Sequence, residues 1–157
     1  MKELEVGGHK VILDDDIAQL ASWVGLRVMG AGQYGRPRLY TRMRPVSTLI
    51  VPARKGYVVD HINGNVMDNR RENLQRLSCL DNIRKRRLTE HPGVTGSRAK
   101  PGVYRVLCAD GKRRVFRDMT DAKRAADQCR RSLGIRGMPL NFPEVGEHYW
   151  DGRLRSE

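Results

Sequence analysis

Four side chains in the middle of the chain have the types and spacing of a site that handles a phosphate ester. Asp60 and His61 close the apolar run GYVVDH, Asn73 follows twelve residues after His61, and Asn82 follows nine after Asn73. The Asp60 carboxylate and the Asn82 amide oxygen are hard donors. Two such donors suit Mg²⁺ or Mn²⁺ and leave positions for waters and a phosphate oxygen. His61 is uncharged often enough near neutral pH to accept a proton from water. Asn73 carries both a donor and an acceptor, so it can tie a loop and hold His61 in orientation. Lys85 and Arg86 lie one turn beyond Asn82 on the same helical face, where they could steady phosphates. The chemistry expected of this set is phosphodiester hydrolysis, with one divalent cation neutralising charge on the phosphate. An Asp-His pair alone would read as a solvated strand end. Its company with Asn73 and Asn82 is what gives it chemical meaning.

The elements that must position these groups follow from local patterns. GYVVDH reads as a strand, Asn63-Gly64-Asn65 as a turn, and the polar run to Asn73 as loop. LQRL (74–77) reads as the returning strand. Ser78 then opens a helix, with Asp81 three residues on completing a capping-box pattern. That helix is expected to reach about Leu88 and to end before Pro92. Strand, loop, strand and helix would bring Asp60 near the first turns of the helix. Upstream, residues 1–25 read as two short strands and a helical turn with Asp14, Asp15 and Asp16 at its N-terminus. Residues 26–45 read as a β-hairpin carrying Arg27, Arg36, Arg38, Arg42 and Arg44, turning at GAGQYGRP. VSTLIV (46–51) is a short apolar element. Trp23 and the cysteines Cys79, Cys108 and Cys129 read as core, and His9 and His91 as ordinary surface residues.

The segment 56–87 resembles the HNH endonucleases, and most closely the small homing-type enzymes of bacteriophages. The resemblance rests on Asp60-His61-Ile62-Asn63-Gly64-Asn65, then Asp68-Asn69-Arg70, then Asn73-Leu74, then Asn82. It implies a ββα-metal core. Asp60 and Asn82 would bind one divalent cation, His61 would activate water, and Asn73 would be structural. The family also carries an apolar-His-Arg-Leu-Ile stretch before the site. Here the corresponding residues are Val46-Ser47-Thr48-Leu49-Ile50, without the His-Arg pair.

A second unit follows His91-Pro92-Gly93. GVTGS, GVYRVLC and GKRRVFR are three strand candidates. Thr120 can cap a helix running through Leu133, with Gly134 just past its end. Ala122, Ala125, Ala126, Cys129 and Leu133 form one apolar face of that helix. This unit, with Leu140-Asn141-Phe142-Pro143, resembles the plant ethylene-response-factor type domain, which implies that the sheet enters the major groove of DNA. Alternation agrees: Tyr104, Val106, Cys108 and Phe116 face the helix, whereas Arg105, Arg113, Val115 and Arg117 face outward. Arg105, Arg113 and Arg117 are the expected DNA contacts.

The fold class expected is therefore α+β. It comprises a ββα HNH core (about 56–88) within residues 1–91, an antiparallel three-stranded sheet on one helix at 92–143, and a loose charged tail at 144–157. The charge supports a polyanionic partner. The chain carries 30 Lys plus Arg against 18 Asp plus Glu, a net +12, and 23 of the cations are Arg, whose planar fork grips phosphate. Residues 1–25 are net negative, so the excess sits in the remainder. No apolar run approaches the roughly 18 residues a membrane span needs. The start, MKELEV, has no apolar signal segment, and the three scattered cysteines fit a reducing compartment. The expectation is a monomeric enzyme cutting or nicking double-stranded DNA in a bacterial cytoplasm. The alternative is a DNA-binding regulator on the same domains, without cleavage. A structural RNA-binding protein is a third reading.

Overall fold

A computed structural model of the chain describes residues 1–30, 37–42, 44–86, 91–97, 99–149 and 155–156, with the side chain of Arg86 excepted. It is a mixed α/β structure of small sheets and short helices, divided into two units, Met1–Asn82 and Ile83–Glu157.

The first unit opens with β1 (Lys2–Val6) and β2 (His9–Leu13), an antiparallel hairpin registered from Lys2 opposite Leu13 to Val6 opposite His9. Its turn is made by Gly7 and Gly8, both at positive φ, which side chains rarely adopt. Helix α1 (Asp15–Val24) follows, with Asp15 and Asp16 in its first turn, where the helix dipole favours negative charge. It buries Ala18 and Ala21 but leaves Trp23 86% exposed. Trp23 is thus a surface residue and not the core residue its size suggested. Ala18 and Ala21 occupy the face turned inward, and Trp23 lies off it.

The arginine-bearing hairpin is present as β3 (Arg27–Met29) against β4 (Arg38–Tyr40). Its expected turn, with Arg36, lies outside the described residues. VSTLI forms helix α2 (Val46–Ile50), started by Pro45, whose carbonyl accepts from the Thr48 hydroxyl at 2.8 Å. One core gathers these elements: Val11, Leu13, Ala18, Ala21, Leu39, Val46 and Met67 are buried, with Ile17, Leu26, Val28 and Ile50 packed against them. Each fully buried aliphatic side chain contributes roughly 1.5–3 kcal/mol.

β5 (Tyr57–His61) and β6 (Leu74–Ser78) pair antiparallel, with Asp60 opposite Gln75 and His61 opposite Leu74. Helix α3 (Cys79–Arg86) begins directly where β6 ends, giving the β, β, α order in sequence. The division between the two units falls within α3. Cys79 is exposed, because it sits on the solvent side of the first turn, so it is not a core residue.

The second unit contains β7 (Val94–Gly96), β8 (Tyr104–Leu107) and β9 (Arg113–Phe116), an antiparallel sheet in the order β7-β8-β9. Helix α4 (Met119–Arg131) packs across it, burying Val106, Cys108, Ala122 and Ala126. Asp118, not Thr120, caps this helix: its side chain accepts from the Asp121 N–H at 2.9 Å. Asp118 precedes the first turn, while Thr120 is already inside it. Residues 144–149 are not part of a loose tail. β11 (His148–Tyr149) pairs parallel with β10 (Pro139–Leu140), and Arg131 grips the Glu147 carboxylate through Nε and Nη2 at 2.9 and 2.7 Å. Trp150 lies outside the described residues. Among the described residues no helix is long and apolar enough to cross a membrane.

Candidate active site

The last two residues of β5 carry the candidate acid and base, and both are half-buried. Gln75, opposite Asp60 on β6, donates from Nε2 to Asp60 Oδ2 at 2.8 Å. After His61 the chain turns at Asn63-Gly64. Gly64 has φ 74 and donates its N–H to the His61 carbonyl at 3.0 Å. The positive φ explains why glycine serves there.

The loop from Asn63 to Asn73 is held by its own polar side chains. Asp68 is 1% exposed, and Arg70 grips both of its carboxylate oxygens, Nε to Oδ1 and Nη2 to Oδ2, each at 2.8 Å. Asn63 Nδ2 adds a third bond to Asp68 Oδ2 at 3.0 Å. Burial raises the Asp68 carboxyl, but the bonds from Arg70 and Asn63 outweigh it and leave the group below its ordinary value. A carboxylate buried without such partners would be costly.

The loop is also stitched to β2. The Ile12 N–H donates to the Met67 carbonyl at 3.0 Å, and the Asn69 N–H donates to the Ile12 carbonyl at 2.9 Å. At the loop's end, Arg71 pairs with Asp14, just before α1, and with Asp16 in its first turn.

Of the two tasks expected of Asn73, the structure displays the loop tie directly. Asn73 is 6% exposed; its Oδ1 accepts from the Asn63 N–H at 3.0 Å, and its Nδ2 donates to the Asp68 carbonyl at 2.7 Å. The asparagine side chain that meets His61 is Asn69, whose Oδ1 lies 3.3 Å from His61 Nε2. Nothing in its spacing marked Asn69, because its relation to His61 depends on how the loop folds back. Burial holds the His61 imidazole below its ordinary value, opposed but not reversed by the Asn69 hydrogen bond and the Asp60 charge. That shift favours the uncharged ring, the form that can take a proton.

Asn82, half-exposed, is carried by α3, whose start is fastened to the strand pair. The Cys79 N–H donates to the Gly56 carbonyl at 3.1 Å. Ser78 caps the helix, its Oγ accepting from the Asp81 N–H at 3.1 Å and donating to Asp81 Oδ2 at 2.7 Å. Among the described residues no group of three or more His, Cys, Asp and Glu gathers as a ready metal cage. The donor set on these elements is one carboxylate and one amide oxygen, which suits a hard cation that keeps several waters. Lys85 is only 7% exposed, unlike the surface position a phosphate contact requires. Arg86 closes α3, and its side chain lies outside the described residues.

In the second unit Arg105, Arg113 and Arg117 are all exposed. Arg105 stands opposite Val115 and Leu107 opposite Arg113, and Val115 and Leu107 are 62% and 53% exposed. The sheet face away from α4 thus mixes cationic and apolar side chains. Leu140-Asn141-Phe142-Pro143 serves the fold: the buried Asp127 carboxylate accepts from Asn141 N at 2.9 Å, Asn141 Nδ2 at 2.8 Å and Phe142 N at 2.7 Å.

Residues 51–84 match a family model described as HNH endonuclease. The HNH match covers β5, the 62–73 loop, β6 and most of α3, the segment that carries Asp60, His61, Asn73 and Asn82. It supports a DNA-cleaving nuclease. No curated protein and no solved structure matches the chain.

Proposed function

We propose that the chain is a metal-dependent HNH endonuclease that hydrolyses phosphodiester bonds of double-stranded DNA, of the phage homing type. The observation that carries this reading is the setting of His61: half-buried at the end of β5, beside Asp60 and 3.3 Å from the amide oxygen of the buried Asn69. His61 accepts the proton of the water that attacks phosphorus. Asp60 and Asn82 are the residues that would hold a divalent cation, Mg²⁺ or Mn²⁺. When bound, such an ion supplies charge neutralisation on the phosphate and on the departing 3′ oxygen. The resemblance to homing enzymes implies 3′-hydroxyl and 5′-phosphate ends.

Arg105, Arg113 and Arg117 are proposed to contact the duplex through the open sheet face. Arginine reaches guanine or phosphate with two hydrogen bonds, and Val115 and Leu107 can meet thymine methyl groups. Residues 92–143 are proposed as the DNA-binding domain. Lys85 is left out of the contact set because of its burial; Arg86 remains in it as a phosphate contact on α3.

Plasmid nicking in Mg²⁺ tests the mechanism. His61→Ala should lower cleavage about 10²–10⁴-fold, the range for loss of a general base, while duplex binding by gel shift stays close to that of the parent. Undiminished cleavage in His61→Ala refutes the assignment. α2 lacks the His-Arg pair of the family, which favours a second reading: a DNA-binding regulator without cleavage. A gel shift with no cutting in Mg²⁺, Mn²⁺ or metal-free buffer would establish that alternative.

A further inference from the structure

Cys108 and Cys129 are 21 residues apart in the chain, yet their Sγ atoms stand 2.6 Å from each other as free thiols. The fold itself brings them together. Val106, Cys108, Ala122 and Ala126 are buried in one core between the sheet and α4, with Cys129 packed against it. Each cysteine is held in place by its own backbone. Cys108 directly follows β8; its N–H donates to the Lys112 carbonyl at 2.9 Å, and its carbonyl accepts from the Gly111 N–H at 3.0 Å. Cys129 lies near the end of α4, where its carbonyl accepts from the Ser132 hydroxyl at 2.8 Å. Bonded sulfurs stand about 2.05 Å apart, so the pair needs a closing movement of roughly half an ångström. Cys79, the remaining cysteine, is exposed and belongs to the other unit.

We propose that Cys108 and Cys129 are an oxidative modification site: a peroxide converts the two thiols to an intramolecular disulfide that ties the end of β8 to α4. This does not depend on DNA cleavage. Cys108 is 4% exposed and Cys129 half-buried, so the oxidant meets Cys129 first. The Cys129 thiolate attacks one peroxide oxygen; the O–O bond breaks, leaving a sulfenic acid and one water. The Cys108 thiolate then attacks the sulfenic sulfur, the S–S bond forms, and the hydroxyl leaves as a second water. The two thiols give up two electrons and two protons, which the peroxide takes. A dithiol reductant restores both thiols by exchange. Burial holds the Cys129 thiol above its ordinary value, which slows the first step; contact with Cys108 speeds the second. The ring so closed contains the whole of β9 (Arg113–Phe116). Closing it removes freedom from the unfolded chain and thereby stabilises the second unit.

The test uses the full chain carrying Cys79→Ser, which removes the exposed thiol. The folded, reduced protein is treated with hydrogen peroxide, then denatured and alkylated with iodoacetamide. Mass spectrometry should show the intact chain lighter by two hydrogens and carrying no alkyl group, and a proteolytic digest should contain the Cys108 and Cys129 peptides joined. Dithiothreitol should return two alkylatable thiols. The oxidised chain should melt about 10 °C above the reduced one in the transition of the second unit. Adding Cys129→Ser should abolish both the joined peptide and the gain in Tm. Two alkylatable thiols surviving excess peroxide overturn the proposal. So does sulfinic acid on Cys129 in place of the joined peptide, or a disulfide found only between two copies of the chain. An oxidised form that melts at or below the reduced one overturns the stabilising role. The joined peptide from the folded parent decides the question even where Cys129→Ser does not fold.

Discussion

Replacing Asn73 by alanine removes two hydrogen bonds that differ in cost. The Asn63 N–H loses its acceptor, but Asn63 is exposed, so water can take over and the loss is about 0.5–1.5 kcal/mol. The Asp68 carbonyl belongs to a residue only 1% exposed, and stranding a buried acceptor costs about 1–3 kcal/mol. The backbone bonds from Asn73 to Arg70 and from Ile62 to Asn73 survive the substitution. The sum is about 1.5–4.5 kcal/mol. For a unit of this size that lowers Tm by about 6 °C or more. Thermal denaturation followed by circular dichroism measures the shift, and nicking measured well below the variant's Tm reports the chemistry. If Asn73→Ala melts within about 2 °C of the parent while cleavage is lost, the loop-tie argument is refuted and Asn73 acts on the reaction itself.

Acid should weaken the fold through its paired carboxylates. The Arg71 hydrogen bonds hold Asp16 down from 3.8 to about 2, and Asp68 also lies below its ordinary value. Groups depressed in the folded state give stability that is present above their unfolded pKa and lost as pH falls through the folded one. Tm should therefore decline as pH drops below about 4, and Asp68→Asn should flatten that decline. Duplex affinity should fall steeply with salt, and Arg105→Ala should reduce the log–log slope by about 1 if Arg105 meets a phosphate; an unaltered slope in fluorescence anisotropy removes it from the phosphate contacts. Among the cysteines, exposed Cys79 should react first with iodoacetamide at neutral pH. The Cys129 thiol, pushed up to about 11 by burial and by Cys108, whose Sγ lies 2.6 Å away, should lag far behind it in peptide mass spectra.

The strands and helices at the heart of the site were legible because their signals are local. A β-branched run before Asp60, an Asn-Gly turn and a Ser-x-x-Asp cap each depend on a few adjacent residues. The sheet of the second unit was legible for the same reason, through alternation at Tyr104, Val106 and Phe116. The partner of His61 was not legible: four asparagines, Asn63, Asn65, Asn69 and Asn73, lie in one polar loop, and spacing cannot tell which one folds back on the ring. α2 was hidden because a five-residue helix rich in β-branched side chains has no periodicity to read. The β10–β11 pair was hidden because two-residue strands carry no alternation, and its register comes from tertiary contacts such as Arg131 with Glu147. Size alone misplaced Trp23, since α1 turns the small residues Ala18 and Ala21 inward.

The stitch between Ile12 and residues 67 and 69 gives the amino-terminal hairpin a stake in the proposed catalysis. A strand more than forty residues upstream supplies both the donor and the acceptor that pin the reactive loop, and its neighbours Val11 and Leu13 share a core with Met67. Excising the recognisable motif would therefore leave its loop without a wall to lean on. The smallest fragment able to keep the histidine in place has to start at β1, far outside the stretch whose residues announce the chemistry.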